Sequence, residues 1–206
     1  MTTPIRIHSF AKSGHAHRAV LFAALAGIPH DVIEVDLAGG ANRAPEFLAM
    51  NPTGQVPVIE DGAIVVSDSN AILVYLAKAY APAWLPEDPV GAAEVQKFLT
   101  LAAGEQAFGP AAARLNTVFG AANPQEYCQA VSTRYLTKID AHLAGRDFLV
   151  GDRPTIADVA LYSYTAHAPE GGVSLDPYPN VRRLLANVEA LPGFVAMPAT
   201  KAGLLA

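Results

Sequence analysis

Apolar and polar residues alternate along Ile5-Arg6-Ile7-His8-Ser9-Phe10, the two-residue period of a half-buried strand. From Ala16 to Ala26 the spacing changes to that of a helix, closed by Gly27 with Pro29 two residues beyond. Alternation returns over His30–Asp36 around Val32, Ile33 and Val35. After a loop rich in Gly and Ala, Pro45–Met50 has room for one or two helical turns. Val56–Ile59 and Ala63–Val66 are short strand patterns separated by Glu60-Asp61-Gly62, a turn that glycine suits. Ile72, Leu73, Tyr75, Leu76 and Ala79 then recur at helical spacing within Ser69–Tyr80. The order βαβ followed by ββα describes an α/β domain: a mixed four-stranded sheet covered by helices.

Beyond Tyr80 the pattern changes. Ala81–Pro89 holds three prolines in nine residues, which interrupts helices and favours an extended connection. Strand alternation does not reappear after it. Val90 to about Val118, Pro124–Ala144, Ile156–Ala168, Tyr178–Ala190 and Gly193–Ala202 are the expected helices of an all-α second half. The expected organisation is therefore a first domain over 1–80, a linker over 81–89 and a helical domain over 90–206. A length of 206 residues accommodates this, since domains run to about 100–200 residues.

Composition narrows the functions open to the chain. The hydrophobic fraction of 51% and charged fraction of 16% are those of a folded globular protein. Lys and Arg number 14 against 19 Asp and Glu, shared as five against seven in residues 1–80 and nine against twelve beyond. With no basic cluster, phosphate-backbone binding is not expected, so nucleic acid is excluded as a partner. The longest apolar run, Ala19–Ile28, is about half of a bilayer span, and no basic segment followed by an apolar one opens the chain. A cytoplasmic protein without membrane contact is the expectation. Cys128 is the single cysteine, which rules out an internal disulfide, and no zinc-ligand spacing surrounds it. A buried apolar thiol accounts for it.

Four strings carry candidate chemistry, and each also has a structural explanation. In Asn51-Pro52-Thr53-Gly54-Gln55-Val56-Pro57-Val58, Pro57 interrupts a strand pattern. It is either an edge-strand trans proline or a cis proline that lets the Val56 backbone pair with an extended peptide. Asp68-Ser69-Asn70-Ala71-Ile72 opens a helix, where Asp or Ser serves as an N-cap. The same helix end could hold a carboxylate and the Asp an ammonium group, matching the zwitterionic end of an amino acid. Ser13-Gly14-His15-Ala16-His17-Arg18 lies between the first strand and first helix. Ser13 is a helix cap, or a hydroxyl that donates to a bound thiolate and lowers its pKa from about 8.5. His15 and His17 form a weak metal pair without a third ligand, so solvated or capping histidines and no metal site are expected. Thr155 and Asp158, within Gly151–Asp158, form a capping box and serve folding.

Taken together and in this order, the strings resemble those of the glutathione transferases over nearly the whole chain. Asn51–Pro57 is similar to that family's cis-proline loop, Asp68–Ile72 to its (Glu/Asp)-Ser-x-Ala-Ile segment and Gly151–Asp158 to its buried capping box. The resemblance implies a thioredoxin-like first domain that binds glutathione and an all-α second domain that lines an electrophile pocket. It places Ser13 at the catalytic serine of the phi-like and Ser-Gly-Asn bacterial branches, followed by Arg18 at those branches' spacing. Asn42 and Arg43 fall at the glycyl carboxylate, Gln55 and Val56 at the peptide backbone, and Asp68 and Ser69 at the γ-glutamyl end. His15 stands where the Ser-Gly-Asn branch has Asn, and so shares candidacy for the thiolate contact. Ala16 stands where that branch often has Ser or Cys. Residues 1–20 contain neither Tyr nor Cys, unlike the tyrosine and cysteine classes, and the Ser-Ser-Cys string of maleylacetoacetate isomerases is absent.

The function this implies is detoxifying transfer: the thiolate of bound glutathione attacks a small hydrophobic electrophile in a pocket to which Phe10 and Phe108 contribute. Glutathione is then a co-substrate and no metal or redox cofactor is required. Two other readings use the same fold, a non-catalytic glutathione-binding or regulatory protein and a glutathione-dependent disulfide or peroxide reductase. The resemblance also implies a homodimer.

Overall fold

A computed structural model describes residues 3–201, which form two compact units. The first comprises the described residues through Leu85 together with Leu191–Pro198, and the second comprises Pro86–Ala190 with residues 199–201. None of the described helices is long and apolar enough to cross a membrane.

The first unit is a four-stranded mixed sheet with three helices. β1 (Ile5–Ser9) pairs in parallel with β2 (His30–Glu34) and antiparallel with β3 (Val58–Asp61), which pairs antiparallel with β4 (Ile64–Ser67), giving the order β2-β1-β3-β4. Ile7 opposes Val32 on one side and Ile59 on the other, so the apolar run of the central strand lies inside the sheet. α1 (Gly14–Leu25) and α3 (Ser69–Tyr80) pack on each other, burying Ala16, Ala19, Phe22, Ile72, Leu73 and Leu76. The short α2 (Pro45–Met50) starts on a proline, as a first helical turn allows, and sets Phe47 against Val35 and Val58. This is the thioredoxin-like arrangement expected. The third strand begins at Val58, not Val56, since Pro57 has no N–H to give the ladder; the Val56–Pro57 bond is cis.

The second unit is all-α. α4 (Pro89–Leu101) is capped by Asp88, whose carboxylate accepts the Gly91 N–H at 2.8 Å, and Pro89 takes its first position. The expected continuous helix to Val118 is interrupted: Ala102–Ala111 is π-helical, and α5 (Ala112–Phe119) follows. Pro110 inside this stretch supplies no N–H, and Gln106 turns fully inward to donate to the Leu161 carbonyl at 2.6 Å and the Thr165 hydroxyl at 3.0 Å. α6 (Gln125–His142), α7 (Ile156–Ala166) and α8 (Pro179–Glu189) complete the unit. Thr155 and Asp158 form the capping box at the start of α7. The buried Asp158 carboxylate accepts from the Leu149 and Thr155 N–H groups at 2.8 and 2.7 Å and from the Thr155 hydroxyl at 3.1 Å. Cys128 is buried on α6.

One expected helix is absent. Gly193–Thr200 has no helix, and residue 202 lies outside the described residues. The segment instead returns to the first unit: Gly193 (φ +84) lies so near α1 that an added Cβ would come within 2.7 Å of the Ala24 carbonyl oxygen. The buried His17 donates from Nε2 to the Val195 carbonyl at 2.9 Å. His17 is therefore neither solvated nor a cap, but a tie between α1 and this returning strand of chain. Its burial on the α1 face explains the difference.

Candidate functional site

A cavity of about 510 Å³ opens where loops of the first unit converge, and all of its lining residues belong to that unit. Ser13, His15, Asn42, Arg43, Gln55, Val56, Asp68 and Ser69 line it, which brings together residues from four separate strings of the sequence. Leu37, Asn51, Thr53, Gly54, Pro57 and Ser67 complete the wall.

Each contributor is held by local structure. Ser13 is the N-cap of α1, with extended backbone, and its Oγ accepts the Ala16 N–H at 3.2 Å. Its hydroxyl hydrogen is not used by this cap bond. Asp68 caps α3, accepting the Asn70 and Ala71 N–H groups on Oδ1 at 2.9 Å each, and stays exposed. It has φ +73, a left-handed conformation that Asp tolerates better than most side chains. Its carboxylate retains further lone pairs for a cation. The 51–55 loop is organised by buried Asn51, which donates to the Gln55 carbonyl at 2.8 Å and accepts from the Thr53 N–H and hydroxyl. Asn42 donates to the Gly54 carbonyl at 2.7 Å and ties this loop to the 3₁₀ turn Ala41–Arg43. Gly54 has φ +65, which side chains rarely adopt, and an added Cβ would come within 3.0 Å of the Asn42 carbonyl oxygen, so a side chain there is strained.

His15, on the first turn of α1, has the most perturbed environment. Its Nδ1 accepts from Nη1 of the buried Arg18 at 3.0 Å and lies 3.2 Å from Ser69 Oγ. Arg18 Nη1 also donates to Ser69 Oγ at 3.1 Å. Burial, reinforced by the Arg18 charge and only partly offset by Asp68, pushes the imidazole pKa down to about 3, so the ring is neutral at physiological pH.

The cavity thus offers a cation (Arg43), an anion (Asp68), a helix-capping hydroxyl beside a neutral imidazole, and backbone at Val56 next to a cis proline. Those groups suit an extended, zwitterionic peptide. The family model described as "Glutathione S-transferase, N-terminal domain" matches residues 13–79, and "Glutathione S-transferase, C-terminal domain" matches residues 98–192. A maleylacetoacetate isomerase of Mus musculus is 32% identical, covering 91% of this chain and 89% of its own. The chain belongs to the glutathione S-transferase family.

Other relatives agree with that membership. Glutathione S-transferase 2 of Anopheles gambiae is 31% identical over 77% of this chain and 78% of its own length. Among solved structures, a possible glutathione S-transferase from Rhodopseudomonas palustris is 30% identical with a TM-score of 0.86, covering 96% of this chain and 91% of that one. The glutathione S-transferase from Pseudomonas fluorescens is 29% identical with a TM-score of 0.89, covering 95% and 99%. The protein is accordingly an enzyme of the glutathione transferase type.

Phe10 and Phe108, expected in the electrophile pocket, are not among the residues that line this cavity. Phe10, in the turn after β1, lines a separate hollow of about 180 Å³ with His17, Val20 and Val195, because the 191–198 segment returns over that edge. Phe108 belongs to the second unit, on the π-helical stretch, and is 60% exposed. Neither lines the cavity around Ser13. Conversely, the Asn51 scaffold and the Arg18 contacts to His15 and Ser69 were not assigned from sequence. Asn51 stands inside the 51–57 string and His15 lies three residues before Arg18, whereas the Arg18 contact to Ser69 spans some fifty residues and carries no local signal.

Proposed function

We propose that this enzyme binds glutathione extended across the cavity and activates its thiol for attack on a small hydrophobic electrophile. The observation that carries the reading is the placing of Ser13, Arg43 and Asp68 around one cavity, with Ser13 Oγ already accepting an N–H. An oxygen so engaged keeps its hydrogen for the sulfur, and the N-terminal end of α1 favours the thiolate electrostatically.

In this arrangement Asp68 takes the γ-glutamyl ammonium, while Ser69 and the α3 N-terminus take that end's carboxylate. Val56 and Gln55 hold the peptide backbone, and Arg43 with Asn42 takes the glycyl carboxylate. Each charge-assisted contact contributes about 1.5–3 kcal/mol. Once the thiol proton has left to solvent, sulfur attacks the electrophilic carbon and the leaving group departs with its electron pair. Binding both reactants side by side and stabilising the thiolate supply the rate, with glutathione as co-substrate and no metal or redox cofactor in the step. We place the reaction in the cytoplasm, where glutathione is held reduced, and in a homodimer, whose mass sedimentation at micromolar concentration would show.

Turnover of glutathione with an activated aromatic halide tests the reading. Conjugate formation that saturates in both substrates is expected. Glutathione binding without conjugation would favour the non-catalytic role, and reduction of a disulfide in place of conjugation would favour the reductase.

A further inference from the structure

We infer that Arg18 is a positioning residue that fixes the tautomer of His15, so that His15 presents Nε2–H to the bound thiolate as a second donor. The inference rests on the glutathione reading above and deepens it.

A guanidinium nitrogen has only hydrogens to offer, so the 3.0 Å contact from Arg18 Nη1 makes His15 Nδ1 an acceptor. The ring hydrogen must then sit on Nε2. The second Nη1 hydrogen is taken by Ser69 Oγ at 3.1 Å, with Asn70 Oδ1 more distant at 3.5 Å. Ser69 Oγ is itself 3.2 Å from Nδ1, closing a triangle of Arg18, His15 and Ser69. Arg18 and Ser69 are both buried, so water does not compete freely for these contacts. His15 lines the same cavity as Ser13, two residues away on the first turn of α1.

Protonating Nδ1 would set an N–H against the guanidinium N–H and add a charge beside an existing one. Burial is the main cause of the ring's lowered pKa, about 3, and the Arg18 charge adds to it; Asp68, which acts in the opposite direction, does not overcome them. A titrating histidine at this place would exchange a proton with the thiolate and quench it at mildly acidic pH. A neutral Nε2–H stabilises sulfur by hydrogen bonding alone, and with Nδ1 occupied it cannot accept the thiol proton, which leaves to solvent. The amide of an asparagine could do the same: its oxygen would accept from Arg18 and its NH₂ would donate to sulfur.

The test has two arms on the full-length protein. Long-range ¹H–¹⁵N spectra of the imidazoles, recorded without ligand from pH 5 to 8, should show His15 as the Nε2–H tautomer with no titration. In Arg18→Met the same ring should become a tautomer mixture, with its pKa raised but still held below the ordinary value of about 6.5 by burial. Arg18→Gln, which keeps an N–H donor without the charge, should preserve the tautomer. In the second arm, the ultraviolet absorbance of bound glutathione thiolate is followed against pH. His15→Ala should raise the thiol pKa by about one unit, a tenfold loss of thiolate at pH values below it, and His15→Asn should restore it. An Nδ1–H tautomer, an imidazole titrating between pH 5 and 8 in the wild type, or a thiolate titration unmoved by His15→Ala with glutathione bound would each overturn the inference. Failure of wild-type protein to bind glutathione would instead remove the parent reading, an outcome calorimetry separates from the others.

Discussion

Replacing Ser13 tests two roles that the structure assigns to one oxygen. Ser13 Oγ caps α1 through the Ala16 N–H at 3.2 Å, and its hydrogen is proposed to reach the thiolate. Ser13→Ala removes both. Loss of the cap costs about 1 kcal/mol, which in a chain of this size lowers Tm by about 2–4 °C. Loss of a hydroxyl-to-thiolate bond costs about 1.5–3 kcal/mol, equivalent to raising the bound thiol pKa by about 1–2 units toward the free value near 8.5. Thiolate at pH values below the wild-type pKa then falls about 10- to 100-fold, with kcat/KM at that pH falling in step. Affinity for glutathione changes little, because the lost contact serves the sulfur rather than the peptide frame. Ser13→Gly separates the effects: glycine at an N-cap costs only a few tenths of a kcal/mol, so stability is kept while the thiolate donor is lost. Thermal unfolding, thiolate absorbance against pH and turnover of an aromatic halide are measured on both variants. Activity that followed Tm, with Ser13→Gly as active as the wild type, would refute the donor role and leave Ser13 a cap.

Asp68→Asn retains a side chain that caps a helix and tolerates positive φ but loses the charge, so calorimetry should show glutathione bound at least about tenfold more weakly at nearly unchanged Tm. Asp158→Ala strips the acceptor from two buried N–H groups and a hydroxyl, and should lower stability by about 3–5 kcal/mol in denaturant unfolding while leaving the first-unit cavity chemically intact. His15 makes stability depend on pH: its folded pKa lies near 3, below the ordinary 6.5 of the unfolded chain, so the unfolded state binds more protons between those values. Stability should hold above about pH 6.5 and decline as pH falls toward 4, and His15→Asn should flatten that slope in unfolding measured across the range.

The four strands, the helices that carry the cavity and the capping box of α7 are legible because period, caps and turn residues act locally. Ser13 and Asp68 were legible as caps for the same reason, and the structure finds both acting so. The π-helical stretch was not, since widening a helix by one residue per turn leaves a similar apolar rhythm, and the buried Gln106 that accompanies it bonds to residues more than fifty positions away. Gly193–Thr200 has apolar residues but also Pro198, which disfavours a helix, and its course follows from contacts with α1 some 170 residues earlier in the chain. Arg18 could be counted as a cation on the first helix, three residues from His15, but Ser69 joins the pair only when α1 and α3 pack. Phe10 and Phe108 offer aromatic character for the electrophile pocket but no positional signal.

A crystal structure with glutathione bound tests the central claim most directly. The account predicts sulfur within hydrogen-bond distance, about 3–3.5 Å, of Ser13 Oγ, the γ-glutamyl end at Asp68 and Ser69, the peptide on the Val56 backbone and the glycyl carboxylate at Arg43 and Asn42. Glutathione in the reverse direction, with its thiol away from Ser13, or a cavity that stays empty at saturating glutathione, would contradict it.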